Sequence, residues 1–207
     1  SVAGVNCWPG DSGLDLVGGR CCCRQPLRLG LSVLTKKRRV IAASSFPVEG
    51  GCTCRAVRYR MLSKPLFVHC CHCTWCQRET GSAFALNATI EADRVELLQG
   101  EVEAIDTPSN SGKGQKISRC PKCRVAVWSN YAGAGEAIRF IRVGTLDEPT
   151  RFPPDIHIYT STKQPWVALP PDTPAMPEYY KASQYWPKES LERRVQPDPL
   201  EERPPRK

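Results

Sequence analysis

No stretch of the 207-residue sequence approaches the run of about 18 apolar residues that a membrane-crossing helix needs, which excludes a helical span. No repeat is visible, and the length falls short of two large domains. No secretory signal precedes the cysteines, and twelve of them in 207 residues are too sparse for a small disulfide scaffold. Excess charge is scarce where it matters. The formal total is +8, but residues 1–45 carry +5 and residues 181–207 carry +2, so the stretch 46–180 holds only +1. A nearly neutral body argues against nucleic acid as its partner.

What is present divides the chain into three parts. Residues 1–45 show no hydrophobic periodicity and read as an irregular or disordered extension that need not be native. Within it, Lys36-Lys37-Arg38-Arg39 reads as a solvated tail rather than a nuclear-localisation patch. From Phe46 the pattern becomes short strands between turn residues: 57–60, 83–89, 95–98, 125–128 and 138–143. Residues 107–114 (Thr-Pro-Ser-Asn-Ser-Gly-Lys-Gly) form a loop by composition. Eight prolines between Leu146 and Tyr180 forbid a central sheet there and predict a segment that wraps the body. A short helix is expected over 188–194, and residues 195–207 read as a disordered tail. The domain is thus placed at 46–194, and its fold class is mainly β with long proline-rich loops.

Eight cysteines fall in three tight groups within that body: Cys52/Cys54, Cys70/Cys71/Cys73/Cys76 and Cys120/Cys123. Residues so close in sequence make poor disulfides, whereas thiolates at these spacings converge readily on a tetrahedral ion, so the reading is a reduced, cytoplasmic or nuclear zinc protein. Cys52/Cys54 with Cys120/Cys123 supply four thiolates, the complement of a closed structural site. Cys71, Cys73 and Cys76 supply three, which leaves a fourth position for substrate. Spacing alone leaves two alternatives open. Cys73/Cys76 with Cys120/Cys123 would also make a four-thiolate site, though across a longer separation than usual, and a single zinc with the remaining cysteines packed as small apolar residues is the other alternative to the two-metal reading that spacing favours.

These motifs carry a resemblance. Gly50-Gly51-Cys52-Thr-Cys54, Val57-Arg58-Tyr59, Cys71-His72-Cys73-Thr-Trp-Cys76, Thr80-Gly81-Ser82-Ala83-Phe84 and Cys120-Pro-Lys-Cys123 resemble the glutathione-dependent formaldehyde-activating enzyme family, which includes centromere protein V. The similarity runs from about Glu49 to about Arg194. Gly144-Thr-Leu-Asp147, His157-Ile-Tyr159 and Lys163-Gln-Pro-Trp166 are similar to the fungal members. The resemblance implies an Mss4-like zinc-binding β fold with two zinc ions per chain, a structural one at Cys52, Cys54, Cys120 and Cys123 and a catalytic one at Cys71, Cys73 and Cys76. It also implies a carbon-sulfur lyase of the S-(hydroxymethyl)glutathione synthase type, joining glutathione or another small thiol to formaldehyde or a related aldehyde. The alternative it offers is a non-enzymatic zinc-binding interaction module like centromere protein V, with the basic extension docking on an acidic partner. The chain departs from the family at Arg55 and Arg124, where glycine is usual after each structural pair, and at Gln77, where arginine commonly follows the triple. Arg78 is the candidate partner for the glutathione carboxylates.

Other residues receive plainer readings. His72, between two ligands, points away from their ion and packs. His157 faces opposite Ile156 and Ile158 in a strand-like stretch and is hydrogen-bonded. Cys70 is a buried spare thiol, Trp75 and Trp166 belong to core or rim, and the Asn87-Ala-Thr89 sequon is idle in a reduced compartment.

Overall fold

The computed structural model describes residues 46–194; the expectations for 1–45 and 195–207 lie outside them. Two sheets dominate. β1 (Val48–Gly51), β2 (Arg58–Met61) and β5 (Val95–Gln99) form a three-stranded antiparallel sheet in the order β1-β2-β5. The larger sheet has seven strands. It is built of β3 (Phe67–Cys71), β4 (Ala85–Glu91), β6 (Glu103–Thr107), β7 (Gln115–Arg119), β8 (Ala126–Tyr131), β9 (Ile138–Arg142) and β10 (Ile156–Ile158). Its order is β10-β3-β4-β9-β8-β7-β6, with β10 alone running parallel to its neighbour. The helices are short: α1 (Thr74–Thr80), α2 (Ala182–Tyr185) and α3 (Lys188–Arg193). Among the described residues no helix is long and apolar enough to cross a membrane.

The mainly β expectation is met, and β2, β4, β5, β8 and β9 fall on the expected stretches. Alternation along β4 explains how the large sheet is covered on both faces. Leu86, Ala88 and Ile90 pack with Tyr59, Met61, Val95, Trp128 and Ile141 in a cluster that joins the two sheets. Ala85 points into a second cluster with Phe67, Ile156, Ile158, Tyr180 and Trp186, which come from neighbouring strands and the C-terminal wrap. Five consecutive buried residues in β3 follow from this double cover.

Two of the sequence motifs turn out to be one contact. Arg58 donates to both oxygens of Asp147 at 2.8 and 2.6 Å and to Glu49 at 2.9 Å. The Tyr59 hydroxyl meets Thr145 Oγ1 at 2.6 Å. The Gly144–Asp147 turn is thereby clamped onto β1 and β2. Gly50 and Gly51 are demanded by close approach: a Cβ at Gly51 would stand 2.3 Å from the Val57 carbonyl oxygen, and one at Gly50 2.6 Å from that of Thr145.

The second cluster contains a polar centre. His69 is 3% exposed, and its Nε2 meets the Tyr180 hydroxyl at 2.6 Å while Nδ1 lies 3.2 Å from Thr89 Oγ1. Burial, reinforced by the charge of Arg194, pushes its pKa from 6.5 down to about 3. Above pH 6.5 neither the folded nor the unfolded chain protonates this ring, so stability is unaffected. Below it the unfolded chain takes up a proton that the folded chain refuses, and about 1.4 kcal/mol is lost per pH unit until the folded value is reached. Urea unfolding should therefore show a stability loss between pH 6 and 5 that is smaller, by about that amount, in His69→Gln than in the wild type.

Candidate metal centres and cavity

The first centre lies where the ends of the two sheets meet. Cys52 follows β1 and Cys120 follows β7. At each, the cysteine N–H donates to a carbonyl five residues on, Cys52 to Val57 at 3.1 Å and Cys120 to Val125 at 3.0 Å. The arginine that closes each turn donates back to the first cysteine, Arg55 at 3.0 Å and Arg124 at 2.9 Å. These two matching knuckles bring Cys54 Sγ to 3.4 Å from Cys52 Sγ and 3.7 Å from Cys120 Sγ, and all four sulfurs, with that of Cys123, lie within 4.8 Å of one another. Sulfurs on a tetrahedron with bonds of about 2.3 Å stand about 3.8 Å apart, so the donor set fits a divalent ion such as zinc. Backbone N–H groups of Cys54 and Val125 push the Cys123 thiol down to about 6 and so favour its thiolate.

Both knuckle arginines adopt the left-handed backbone that favours glycine, at φ 59° for Arg55 and 62° for Arg124. That conformation costs a non-glycine residue about 1–2 kcal/mol, partly offset in glycine by greater unfolded-chain freedom. Arg55→Gly is expected to raise stability by about 0.5–1 kcal/mol, while Arg55→Ala, which keeps the Cβ, gains nothing; thermal melts of the metal-loaded proteins compare the two.

The second centre is the triple. Cys71 ends β3, Cys73 caps the N-terminus of α1 and accepts the Cys76 N–H at 3.4 Å, and Cys76 is the one buried residue of that helix. Their sulfurs lie within 4.8 Å of one another and all three are buried. Hydrogen bonds from the Cys71 and Cys76 thiols push the Cys73 thiol down and favour its thiolate. The Cys71 thiol also lowers Cys76, but Cys73 and burial outweigh it and hold Cys76 near 12. Three converging sulfurs are donors for a divalent cation, which would displace their remaining protons on binding.

These three cysteines line a cavity on one face of the large sheet. Trp75, Tyr131, Phe140, Tyr159, Tyr179 and Trp186 wall it, and its charged residues are Lys113 and Arg194. Desolvation raises the Tyr131 phenol well above its ordinary value, so it remains protonated at neutral pH.

The structure puts the other candidates elsewhere. Arg78 is exposed on α1 and is not among the cavity's lining residues. Gln77 ties α1 down: its amide donates to the carbonyls of His72 at 2.6 Å and Thr162 at 2.9 Å and accepts from Gln164 at 2.7 Å. His72 turns away from the triple as expected, and its Nε2 lies 3.0 Å from His157 Nδ1 and 3.6 Å from Cys70 Sγ. This third group also falls within 4.8 Å. Its outer nitrogens, His72 Nδ1 and His157 Nε2, have no partner, whereas metal-held imidazoles donate that proton to an acceptor. We read it as a hydrogen-bonded histidine pair beside a spare thiol. Trp75 stands at the cavity rim, Trp166 is 74% exposed and outside the core, and Asn87 is buried.

Sequence reasoning missed Arg142. It is 7% exposed, and it donates to Asn87 Oδ1 at 2.7 Å and Ser129 Oγ at 3.1 Å, both neutral, while its Nε has no partner. No ion pair among the described residues includes it. Its charge acts instead on Cys76, where it favours the thiolate. No motif marks an arginine in the middle of a strand as special.

Residues 47–162 match the family described as glutathione-dependent formaldehyde-activating enzyme. The chain belongs to this family. A Halomonas elongata protein named "Putative glutathione-dependent formaldehyde-activating enzyme" is 25% identical over 132 residues, which cover 59% of this chain and 80% of that one. A crystal structure of a Rhodobacter sphaeroides protein aligns with 48% of this chain and 87% of its own at 18% identity and a TM-score of 0.37, a likeness on which nothing here rests.

Removing a buried cation from beside the thiolates should weaken their hold on a metal. In Arg142→Gln, chelator competition is expected to strip metal from the Cys71/Cys73/Cys76 centre about tenfold more readily, equivalent to about one pKa unit, with the Cys52/Cys54/Cys120/Cys123 centre unchanged and Arg142→Lys intermediate.

Proposed function

We propose that residues 46–194 form a zinc-binding enzyme domain that joins a small thiol such as glutathione to an aldehyde such as formaldehyde, a reaction of the S-(hydroxymethyl)glutathione synthase, carbon-sulfur lyase type. In this reading Cys52, Cys54, Cys120 and Cys123 hold a structural zinc, and Cys71, Cys73 and Cys76 hold the catalytic one. The observation that carries it is the convergence of three buried thiols on the wall of a cavity rather than in closed core. A zinc held by three thiolates supplies a soft position for a fourth thiolate and lowers the pKa of a bound thiol.

The chain's own residues do the rest. Arg142 offsets the negative charge that gathers at the sulfurs. The aromatic walls exclude water and hold the aldehyde against the thiol, so that proximity supplies much of the acceleration. The substrate thiol gives up its proton, its sulfur lone pair forms the carbon-sulfur bond, the carbonyl π pair moves onto oxygen, and that oxygen takes a proton, for which the protonated Tyr131 phenol of the cavity lining is the candidate donor. No oxidation or reduction occurs. Lys113 and Arg194 are better placed than Arg78 to meet thiol carboxylates. The interaction-module alternative leans on the basic residues 1–45, which are outside the described structure.

The test is the rate of S-(hydroxymethyl)glutathione formation by exchange spectroscopy, with and without protein, because the spontaneous reaction makes endpoints uninformative. The wild type should hold close to two zinc ions and accelerate the reaction. Cys76→Ser should lose the acceleration and one zinc while keeping a cooperative melt, and Cys123→Ser should lose the fold. Equal rates with and without wild-type protein would leave the enzyme reading without support.

A further inference from the structure

Neither glutathione nor formaldehyde explains the walls of the cavity beside Cys71, Cys73 and Cys76. Formaldehyde has a single carbon and can touch no more than one or two rings. Glutathione is a flexible peptide with two carboxylates and an ammonium group, and the cavity lining contains no aspartate or glutamate to receive the ammonium. Yet six aromatic side chains, Trp75, Tyr131, Phe140, Tyr159, Tyr179 and Trp186, line the space, against two aliphatic ones of any size, Ile138 and Ile158.

Five of the six rings, all but the rim residue Trp75, are held by contacts with other rings. Tyr131 meets Phe140 edge to face at 4.8 Å and 80°. Trp186 stacks on Phe67 at 5.5 Å and 17°, and its indole N–H donates to the Tyr180 hydroxyl at 2.7 Å. Tyr179 stacks on Tyr180 at 5.1 Å and lies 6.2 Å from Tyr159. Such a pre-formed set offers faces and edges to a flat guest at little cost in side-chain ordering. Apart from Lys113 and Arg194, the polar side chains on the same lining, including Asn87, Thr89 and Gln115, are uncharged amides and hydroxyls or the buried His69.

We propose that the carbonyl substrate of this site is an aryl aldehyde, whose ring occupies the aromatic cavity while its carbonyl carbon faces the three thiols. This rests on the thiol-aldehyde reading above and replaces only the aldehyde. The chemistry is unchanged in balance: the substrate thiol gives up its proton, its sulfur bonds to the aldehyde carbon as the carbonyl π pair moves onto oxygen, and that oxygen takes up one proton, so thiol and aldehyde give a hemithioacetal with no leaving group. Tyr131, edge-on to Phe140, is part of the same lining and is the candidate source of that proton.

The experiment is calorimetric titration of the full, zinc-loaded chain with benzaldehyde and with acetaldehyde in the absence of thiol. Benzaldehyde should bind at least tenfold more tightly. Trp75→Ala removes a rim ring that is 41% exposed, so the fold is not at stake. It should weaken benzaldehyde about fivefold and leave acetaldehyde within twofold. Phe140→Ala should weaken benzaldehyde further, with a thermal melt to confirm that the protein is folded. Equal affinity for the two aldehydes, or benzaldehyde binding untouched by Trp75→Ala, overturns the proposal. Adding glutathione separates the two levels: benzaldehyde preference without faster hemithioacetal formation supports the aryl site and counts against the enzyme reading, whereas acceleration with formaldehyde and no benzaldehyde preference does the reverse.

Discussion

The convergence of Cys52, Cys54, Cys120 and Cys123 is the constraint on which the rest of the molecule depends. Cys52 and Cys54 follow β1 of the small sheet, and Cys120 and Cys123 follow β7 of the large one, so the sulfurs bring together two sheets whose strands are short and whose connections are long. The core between the sheets is built from Tyr59, Met61, Trp128 and Ile141, and it can close only if the sheets keep this spacing. A bound ion would contribute folding free energy directly, which suits a chain that spends so many residues on proline-rich wrapping. The backbone submits to the same demand: Arg55 and Arg124 sit in a conformation that side chains avoid, in turns that return their N–H groups to the carbonyls of Cys52 and Cys120.

Much of this was legible from residue order. The cysteine groups, the loop before β7, the wrapping C-terminal segment and the strands with β-branched or alternating residues all read directly. β3 did not, because Phe67-Val-His-Cys-Cys is buried on both faces and so has no alternation to detect. β6 and β7 are polar where they face water, and Glu103-Ala-Ile-Asp-Thr carries a single aliphatic in its centre. α1 has seven residues and buries one, which leaves no helical period. The positive φ at the two arginines was readable only because the resemblance supplied glycine as the expected residue. The cavity was invisible, since its rings are scattered from Trp75 to Trp186 and become neighbours only in the fold.

Arg142 illustrates how a site's electrostatics can be set from outside its ligand set. Asn87 lies opposite Arg142 across β4 and β9, and opposite His69 across β3 and β4. One row of neighbouring residues thus holds a cation, a neutral amide and a histidine that burial keeps uncharged. The cation's neutral partners fix its position without cancelling it, and its charge remains available to the thiolates.

The C-terminal wrap has a further consequence. The family match ends at residue 162, whereas Tyr179, Trp186 and Arg194, all lining the cavity, come after it. The thiols therefore belong to the shared core and much of the opposing wall to an appended strap, which Gln77 fastens near its start through Thr162 and Gln164. The cysteines and part of the cavity wall thus lie on separate stretches of chain. The strap carries none of the eight cysteines, yet it reaches Cys71's own strand through the Tyr180 hydroxyl at His69 and Trp186 stacked on Phe67.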